Sequence, residues 1–347
     1  MTGSDEKYMA RCLELARNGM GNVAPNPMVG SVIVYNDSII GEGYHQQYGG
    51  PHAEVNAINS VKDMSLLEKS TLYVNLEPCS HFGKTPPCAD LIVEKKISKV
   101  VIGTIDPFSK VSGRGLDILK NNNIEVEIDC LSWESREINK RFFTFNEKKR
   151  PYVILKWAET ADGFIDLIRK PAQAKEPIWI TDEIARIVVH KWRTEEQSIM
   201  IGTNTAMMDN PRLNVRLWNG KNPVRIVLDR ELKLESSIHV FDQTQPTLVF
   251  TEKIAESRKN QEYIRLHFDD SLLHAVMNEL HGRMIQSVII EGGYKLLSSF
   301  IEKQLWDEAR VFKADLLFGD GIKAPKFDQI PVAKDKFLNS TMYYYRA

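Results

Sequence analysis

The chain has 347 residues, about twice a typical domain length, so two domains are the starting expectation. Its hydrophobic fraction is 43% and its charged fraction 26%, enough for two ordinary globular cores. Lys+Arg (45) and Asp+Glu (46) nearly cancel to −1, which speaks against a protein that grips nucleic acid through its phosphates, and no apolar run is long enough for a membrane span.

The N-terminal stretch is charged and lacks the apolar core of a signal peptide. Without a secretion signal, Cys12, Cys79, Cys88 and Cys130 are expected as free thiols or metal ligands in a cytoplasmic protein. From Ser4 to Asn18 the apolar Tyr8, Met9, Cys12, Leu13 and Ala16 fall at helical spacing, with Gly19 as the cap. Val29–Tyr35 is a predicted strand, Asn36-Asp37-Ser38 a turn, and a second short strand follows. Residues 52–61 read as a helix, 71–77 as a strand, 87–96 as a helix and 99–105 as a strand. Residues 116–121 and 124–128 add a further helix and strand. Such alternation predicts a three-layer α/β/α domain over residues 1–147, ending at the charged Glu147-Lys148-Lys149-Arg150 before Pro151.

A second α/β domain is expected over 151–347. Strands are predicted at 152–157, 198–202, 225–229, 247–251 and 287–291, with a helix at 182–193 and another after Gly292-Gly293 through Glu302. Short apolar strands of this kind suit a mostly parallel sheet covered on both faces. The segment 168–177 reads as a mobile loop.

The chemistry-bearing motif lies in the first half. His52-Ala53-Glu54 opens a helix after Gly49-Gly50-Pro51, and Pro78-Cys79 follows a strand, with Cys88 nine positions on at the next helix start. One imidazole and two thiolates leave the fourth tetrahedral position of Zn²⁺ for water, whose pKa zinc lowers to about 7. Glu54, two residues from His52, suits a proton shuttle rather than a ligand. An H-x-E followed by P-C and a second Cys is the pattern of zinc nucleobase deaminases, although their usual gap is two residues and here it is eight. Cys12 and Cys130 lack such a setting and read as structural. In the second half no G-x-G-x-x-G follows a strand, but Gly292-Gly293 before a helix would let phosphate approach backbone N–H groups. His190 reads as a packing or surface residue, and the later histidines lack metal-like spacing.

The stretches APNPMVGSVIV (24–34), GGPHAEVNAI (49–58) and NLEPCSHFGKTPPCADLI (75–92) resemble the bifunctional riboflavin-biosynthesis deaminase–reductase family, in which a long gap ending in TPPC is normal. The resemblance implies that Asn26 and His45 help hold the pyrimidine and that His81 and Lys84 face the ribosyl phosphate. Phe108-Ser109 departs from the Asn-Pro more usual there. LKWAETADG (155–163), WITDEIARIVVHKWR (179–193), IGTNTAMMDNPRLNVR (201–216), VRIVLD (224–229) and EGGYKL (291–296) look like the reductase half, which has a dihydrofolate-reductase-like α/β fold. By that resemblance Ala158, Trp179, Thr205, Asp209 and the run Gly293, Tyr294, Lys295, Leu296, Leu297, Ser298 and Ser299 line an NADPH site. Arg193, Leu213, Arg216 and Glu291 bind substrate, and Lys156 and Asp162 position the opened sugar or relay a proton. Pro177 stands where the family commonly has a substrate-contacting Ser. It has neither hydroxyl nor N–H, so a neighbour takes over that contact or the reductase half is weakened.

The expected activity is zinc-dependent hydrolytic deamination of a phosphoribosylated diaminopyrimidine, then NADPH-dependent reduction of its ribosyl chain. The partners expected are that small molecule and other copies of the chain in a dimer or tetramer, with no nucleic acid and no membrane. Three other readings stay open at this level: a nucleic-acid base deaminase with an accessory domain, a zinc-stabilised binding protein, and a deaminase with a degenerate reductase.

Overall fold

Asn36 and Asp37 both adopt left-handed backbone (φ 46° and 58°), the geometry of a two-residue hairpin turn, and Tyr35 pairs with Ser38 across it. This hairpin anchors the first of two compact units, residues 1–149 and 150–347, in the computed structural model. The structure describes residues 3–80, 86–108, 112–169 and 178–347.

The first unit runs α1 (Gly3–Arg17), β1 (Gly30–Tyr35), β2 (Ser38–Tyr44), α2 (Ala53–Ser60), β3 (Thr71–Val74), α3 (Cys88–Glu94), β4 (Lys99–Ile102), α4 (Arg114–Asn121) and β5 (Glu125–Glu127), closing with α5 (Ser132–Ile138) and α6 (Lys140–Lys148). Its sheet has the order β2-β1-β3-β4-β5, antiparallel up to β3 and parallel beyond it. Side chains alternate between two faces as the strand period demands. Ile33, Leu72, Val74, Val100 and Ile102 pack with Ile58, Ile92 and Leu119 on one side, while Val32, Val34, Tyr73 and Val101 pack with Met9 and Cys12 on the other. The result is the expected three-layer, cytidine-deaminase-like sandwich. Gly30 is required by close approach: a Cβ there would lie 2.1 Å from the Cys12 carbonyl oxygen of α1. Helices α5 and α6 were not expected from the sequence.

The second unit contains β6 (Tyr152–Glu159), β7 (Phe164–Asp166), α7 (Glu183–Glu195), β8 (Ser198–Gly202), α8 (Thr203–Asp209), β9 (Val224–Leu228), β10 (Thr247–Thr251), β11 (Gln261–Arg265), α9 (Leu272–Gly282), β12 (Ser287–Glu291), α10 (Tyr294–Glu302), β13 (Glu308–Ala314), β14 (Ile322–Lys323), β15 (Ala333–Lys336) and β16 (Ser340–Arg346). The main sheet has the order β11-β10-β9-β8-β12-β6-β13-β16-β15. Its strands are parallel from β11 to β13, while β16 and β15 run antiparallel at the edge. One face carries Leu155, Met200, Ile226, Phe250 and Ile290 against α9 and α10; the other carries Ile199, Ile201, Val227, Val249 and Ile289 against α7 and α8. This is the dihydrofolate-reductase-like arrangement. The expected parallel core is present, and the antiparallel edge is the part the sequence reading lacked. From residue 170 onward, the loop expected over 168–177 lies outside the described residues, Pro177 included.

Candidate active sites

In the first unit the strand-to-helix junctions converge. His52 caps α2 with extended backbone (φ −73°, ψ 166°), which frees its ring to turn away from the helix. Its Nδ1 lies 3.5 Å from the Cys79 Sγ and 3.4 Å from the Cys88 Sγ. Zinc bonds of 2.3 Å to sulfur and 2.0–2.1 Å to nitrogen, at tetrahedral angles, require an N···S edge of about 3.5 Å. The donor set fits zinc in kind and in size, and the three ligand atoms lie within 4.8 Å of one another. Cys88 begins α3 and its N–H donates to the Cys79 Sγ at 3.3 Å. The Cys88 thiol and His52 hold the Cys79 thiol down to about 4, in the thiolate range. Glu54, in the first turn of α2, is 3% exposed; burial, reinforced by the Cys79 charge, pushes its carboxyl up to about 7.

Glu77, at the exit of β3, steadies the cysteine-bearing segment. Its carboxylate accepts from the backbone N–H of Asp106, Gly113 and Gly115 at 3.3, 3.0 and 2.9 Å. A Cβ on Gly115 would lie 2.2 Å from the Pro78 carbonyl oxygen, so this segment packs directly on the residue before Cys79.

Asn26 Nδ2 and His45 Nε2 are 3.0 Å apart, and His45 Nδ1 lies 2.9 Å from the Pro51 carbonyl oxygen. His45 must therefore donate from Nδ1 to Pro51 and accept at Nε2 from Asn26. Burial holds the ring below its ordinary pKa, which favours this neutral form. With both nitrogens committed and only 2% exposure, His45 fixes the orientation of the Asn26 amide. Asn139, between α5 and α6, holds the same segment: its amide accepts from the Met28 N–H at 2.8 Å and donates to the Met28 carbonyl at 2.9 Å. His81 and Lys84 lie outside the described residues, as does Ser109. Cys12 and Cys130 are buried in the core, as expected for structural thiols.

In the second unit a cavity of about 930 Å³ opens along the C-terminal ends of the parallel strands, where open α/β sheets bind ligands. The β12–β6 register sets Glu291 beside Lys156. Glu291 pairs with Lys156 Nζ at 2.7 Å and with Arg193 Nη2 at 3.0 Å. Burial alone would raise the Glu291 carboxyl, but these two cations outweigh it and hold it well below the carboxylate range. Burial, then Arg193 and Arg212, lower the Arg216 guanidinium, so this wall carries crowded positive charge.

The loop bearing Arg216 is clamped from several sides. Arg193 donates to the Asn214 carbonyl at 3.1 Å, fully buried Arg225 donates to the Arg212 carbonyl at 3.0 Å, and Asn222 accepts the Val215 N–H at 2.7 Å. His190 Nδ1 accepts the Arg216 N–H at 3.1 Å. Burial, with Arg193 and Arg216 adding to it, drives His190 down to about 4, so it is a neutral acceptor. His190 is thus a buried part of the cavity wall and not a surface histidine.

Ala158, Trp179, Thr205, Asp209, Gly293, Tyr294, Lys295, Leu296 and Ser299 line this cavity, together with Lys156, Arg193, Arg216 and Glu291. Four expected residues do not. Leu213 is 2% exposed in the core, with left-handed backbone (φ 52°) that turns its side chain inward. Leu297 packs in the core and Ser298 is absent from the lining, because a helix presents only one face of a seven-residue run. Asp162 is also elsewhere: its carboxylate accepts from the Thr160 hydroxyl and from the Phe318 and Gly319 N–H groups, closing a turn. The sequence reading missed Arg169, which lines the cavity and pairs with Asp209 at 2.5 Å, and Arg225, hidden in an apolar strand. At the cavity wall α10 begins at Tyr294 without a capping side chain, and the N–H of Gly293 before it donates to Thr205 Oγ1 at 3.0 Å.

The family model for the RibD C-terminal domain matches residues 151–343, and that for the cytidine and deoxycytidylate deaminase zinc-binding region matches residues 2–104. The chain is 39% identical over 323 residues to the riboflavin biosynthesis protein RibD of Aquifex aeolicus, covering 92% of this chain and 89% of that protein. It is 34% identical over 337 residues to that of Escherichia coli K12, covering 91% and 89%. Among solved structures it is similar to the Thermotoga maritima diaminohydroxyphosphoribosylaminopyrimidine deaminase/5-amino-6-(5-phosphoribosylamino)uracil reductase, with TM-score 0.89, 38% identity and coverage of 99% and 98%.

Proposed function

The chain belongs to the RibD family of bifunctional riboflavin-biosynthesis enzymes, zinc-dependent deaminases joined to NADPH-dependent reductases, and from that premise we propose which of its residues carry each step. The deaminase domain is residues 1–147 and the reductase domain 151–347. His52, Cys79 and Cys88 hold the zinc; the 3.4–3.5 Å ligand spacing is the single observation that carries this assignment. Bound zinc supplies the Lewis acidity that makes water nucleophilic near neutral pH. Glu54, buried and two residues from the ligand His52, takes the proton of the attacking water and returns it to the departing amine. Asn26, oriented by His45, holds the pyrimidine edge. His81 and Lys84 receive the ribosyl phosphate by family resemblance alone.

In the reductase domain NADPH supplies hydride to the opened ribose, and the chain's task is alignment. Lys156, fixed by Glu291, orients the sugar and moves the proton that follows the hydride. Arg216 and Arg193 hold the phosphate with forked guanidinium groups, which the crowded positive wall favours. Ala158, Trp179, Thr205, Asp209 and the cavity-facing part of 293–299 hold the cofactor.

The address is the cytoplasm, in keeping with four unpaired cysteines. No helix among the described residues is long and apolar enough to cross a membrane. A homo-oligomer rests on the family resemblance, and light scattering of the purified chain decides it.

The test is to supply zinc-loaded protein with the phosphoribosylated diaminopyrimidine and to follow ammonia release and NADPH oxidation together. Ammonia first and NADPH consumption after it is the expected result. Ammonia without NADPH oxidation overturns the reductase assignment, and neither signal overturns the reading as a whole.

A further inference from the structure

Strand β9 reads Val-Arg-Ile-Val-Leu, and its one charged side chain, Arg225, is fully buried. On the two-residue strand period Arg225 shares a face with Val227, whose core cluster includes Leu213 of the loop that carries Arg216. Each of the five N–H groups of its guanidinium has an acceptor. Nη1 donates to Asp242 Oδ1 at 2.7 Å and to the Val240 carbonyl at 3.2 Å. Nη2 donates to Asp242 Oδ2 at 3.3 Å and to Thr244 Oγ1 at 3.5 Å, and Nε to the Arg212 carbonyl at 3.0 Å. Arg225 thus ties the segment 240–244 to the residue before Leu213. Two further contacts run along the same seam. The buried Gln245 amide donates to the Pro223 carbonyl at 3.0 Å and to the Leu213 carbonyl at 3.4 Å, and the His239 N–H donates to Asn210 Oδ1 at 2.8 Å. Asn210 and Leu213 both take left-handed backbone (φ 39° and 52°). That conformation is uncommon for leucine and persists only where the surroundings over-determine it.

We propose that Arg225, locked on Asp242 and seconded by Gln245, is a positioning residue for the reduction: it holds the 210–216 loop in the backbone path that turns Arg216 toward the phosphate of the substrate. The proposal rests on the reading of Arg193 and Arg216 as the phosphate clamp. A buried ion pair adds little stability over apolar side chains of the same shape, because both charges must leave water. Its geometric effect is larger. A planar fork fixed by a carboxylate at one end presents Nε to the Arg212 carbonyl at a set distance. Among the described residues the Arg216 guanidinium donates only to Asn214 Oδ1, at 3.2 Å and on the same loop. The place of Arg216 therefore depends on the path of its loop, and that path is set from the far side by Arg225 and Gln245.

Steady-state reduction by the full chain, measured with the deaminated substrate and with its dephosphorylated form, tests this role. Arg225→Lys keeps a charge opposite Asp242 and loses the fork that also holds the Arg212 carbonyl. It is expected to raise the KM for the phosphorylated substrate about tenfold while kcat changes less than about twofold. The KM for NADPH and the KM for the dephosphorylated form should stay at their wild-type values. Gln245→Met, uncharged and close in shape, removes the two carbonyl contacts and should raise the same KM about threefold. It carries the test if Arg225→Lys does not fold. A KM that rises alike for both forms of the substrate, or in neither variant, overturns the positioning role. Arg216→Ala separates this from the phosphate clamp itself. A rise confined to the phosphorylated substrate in Arg216→Ala, with Arg225→Lys unchanged, overturns the role of Arg225 alone. No rise in Arg216→Ala overturns the clamp, and the role of Arg225 with it.

Discussion

The two sites are held by different means. The proposed zinc triangle draws its three donor atoms from residues no more than 36 positions apart, each at the start of a helix or the exit of a strand. In the reductase cavity the Lys156–Glu291 contact spans 135 positions and exists only because β12 lies beside β6 in one register. A site built from short-range junctions announces itself as a spacing; a site built from sheet register does not. The first depends on a few donor atoms at fixed separations, and the second on a network in which Glu291, Arg193, His190 and Arg225 each hold another part.

The largest expected effect falls on the compact site. Glu54→Gln keeps the side-chain volume and removes the proton carrier, so deamination should drop about 10³-fold, within the range for general acid–base groups. Zinc content by elemental analysis should stay at the wild-type level. Reduction of already deaminated substrate should be unaffected, and a chelator should likewise abolish deamination while sparing reduction. Loss of both activities in Glu54→Gln would mean the sites are not chemically independent.

The networked site should yield more gradually. Glu291→Gln weakens two charge-assisted bonds, to Lys156 and Arg193, and leaves two cations on a crowded positive wall. A fall of about 10² in kcat/KM for reduction is expected, corresponding to roughly 2.7 kcal/mol. Ammonia release should not change. A variant with normal reduction would show that Lys156 needs no anchor.

Legibility followed the same division. The H-x-E and P-C…C elements and the Asn36-Asp37 turn were readable because each is a local signal with a local geometric cause. Helices α5 and α6 were not, since Ile138, Phe143 and Phe145 follow no clean period and the break at Asn139 interrupts what period there is. Helix α9 carries Leu273, Val276, Met277 and Leu280 at helical spacing and was open to reading. Strand β15 was not, because all four of its residues are exposed and no alternation marks it. Leu213 and Asp162 belong to stretches that resemble the reductase family, yet one turns inward on left-handed backbone and the other closes a turn. Resemblance located those segments without saying where the side chains go.

The unread α5–α6 junction makes its own prediction. Asn139→Ala removes both amide contacts to Met28 and leaves its buried N–H without that acceptor, while the Met28 carbonyl keeps the Asn75 amide at 3.1 Å, at a cost of about 2 kcal/mol to the first unit. The denaturation midpoint should fall, and the deaminase KM should rise more than its kcat falls, because Asn26 lies on the same segment. Unchanged KM would separate Asn139 from the pyrimidine pocket.

The smallest effect probes the network through pH. His190 ordinarily titrates near 6.5, and in the folded chain it is held at about 4 by burial and by Arg193 and Arg216, with Lys156 acting the same way and Glu291 opposing them. As pH falls from 7 to 5 the unfolded chain takes up a proton at this residue and the folded chain does not, so stability present above pH 6.5 is lost toward pH 4. The contribution between pH 7 and 5 is on the order of 1 kcal/mol. Five of the six tryptophans lie in the second unit, so their fluorescence follows its unfolding. His190→Gln keeps an acceptor for the Arg216 N–H but cannot titrate. Its denaturation midpoint should therefore fall less than that of the wild type between pH 7 and 5, with the substrate KM for reduction near the wild-type value at pH 7. If the two proteins lose stability in parallel, His190 is not held neutral by the arginines, and the loop is clamped by Arg193, Arg225 and Asn222 without it.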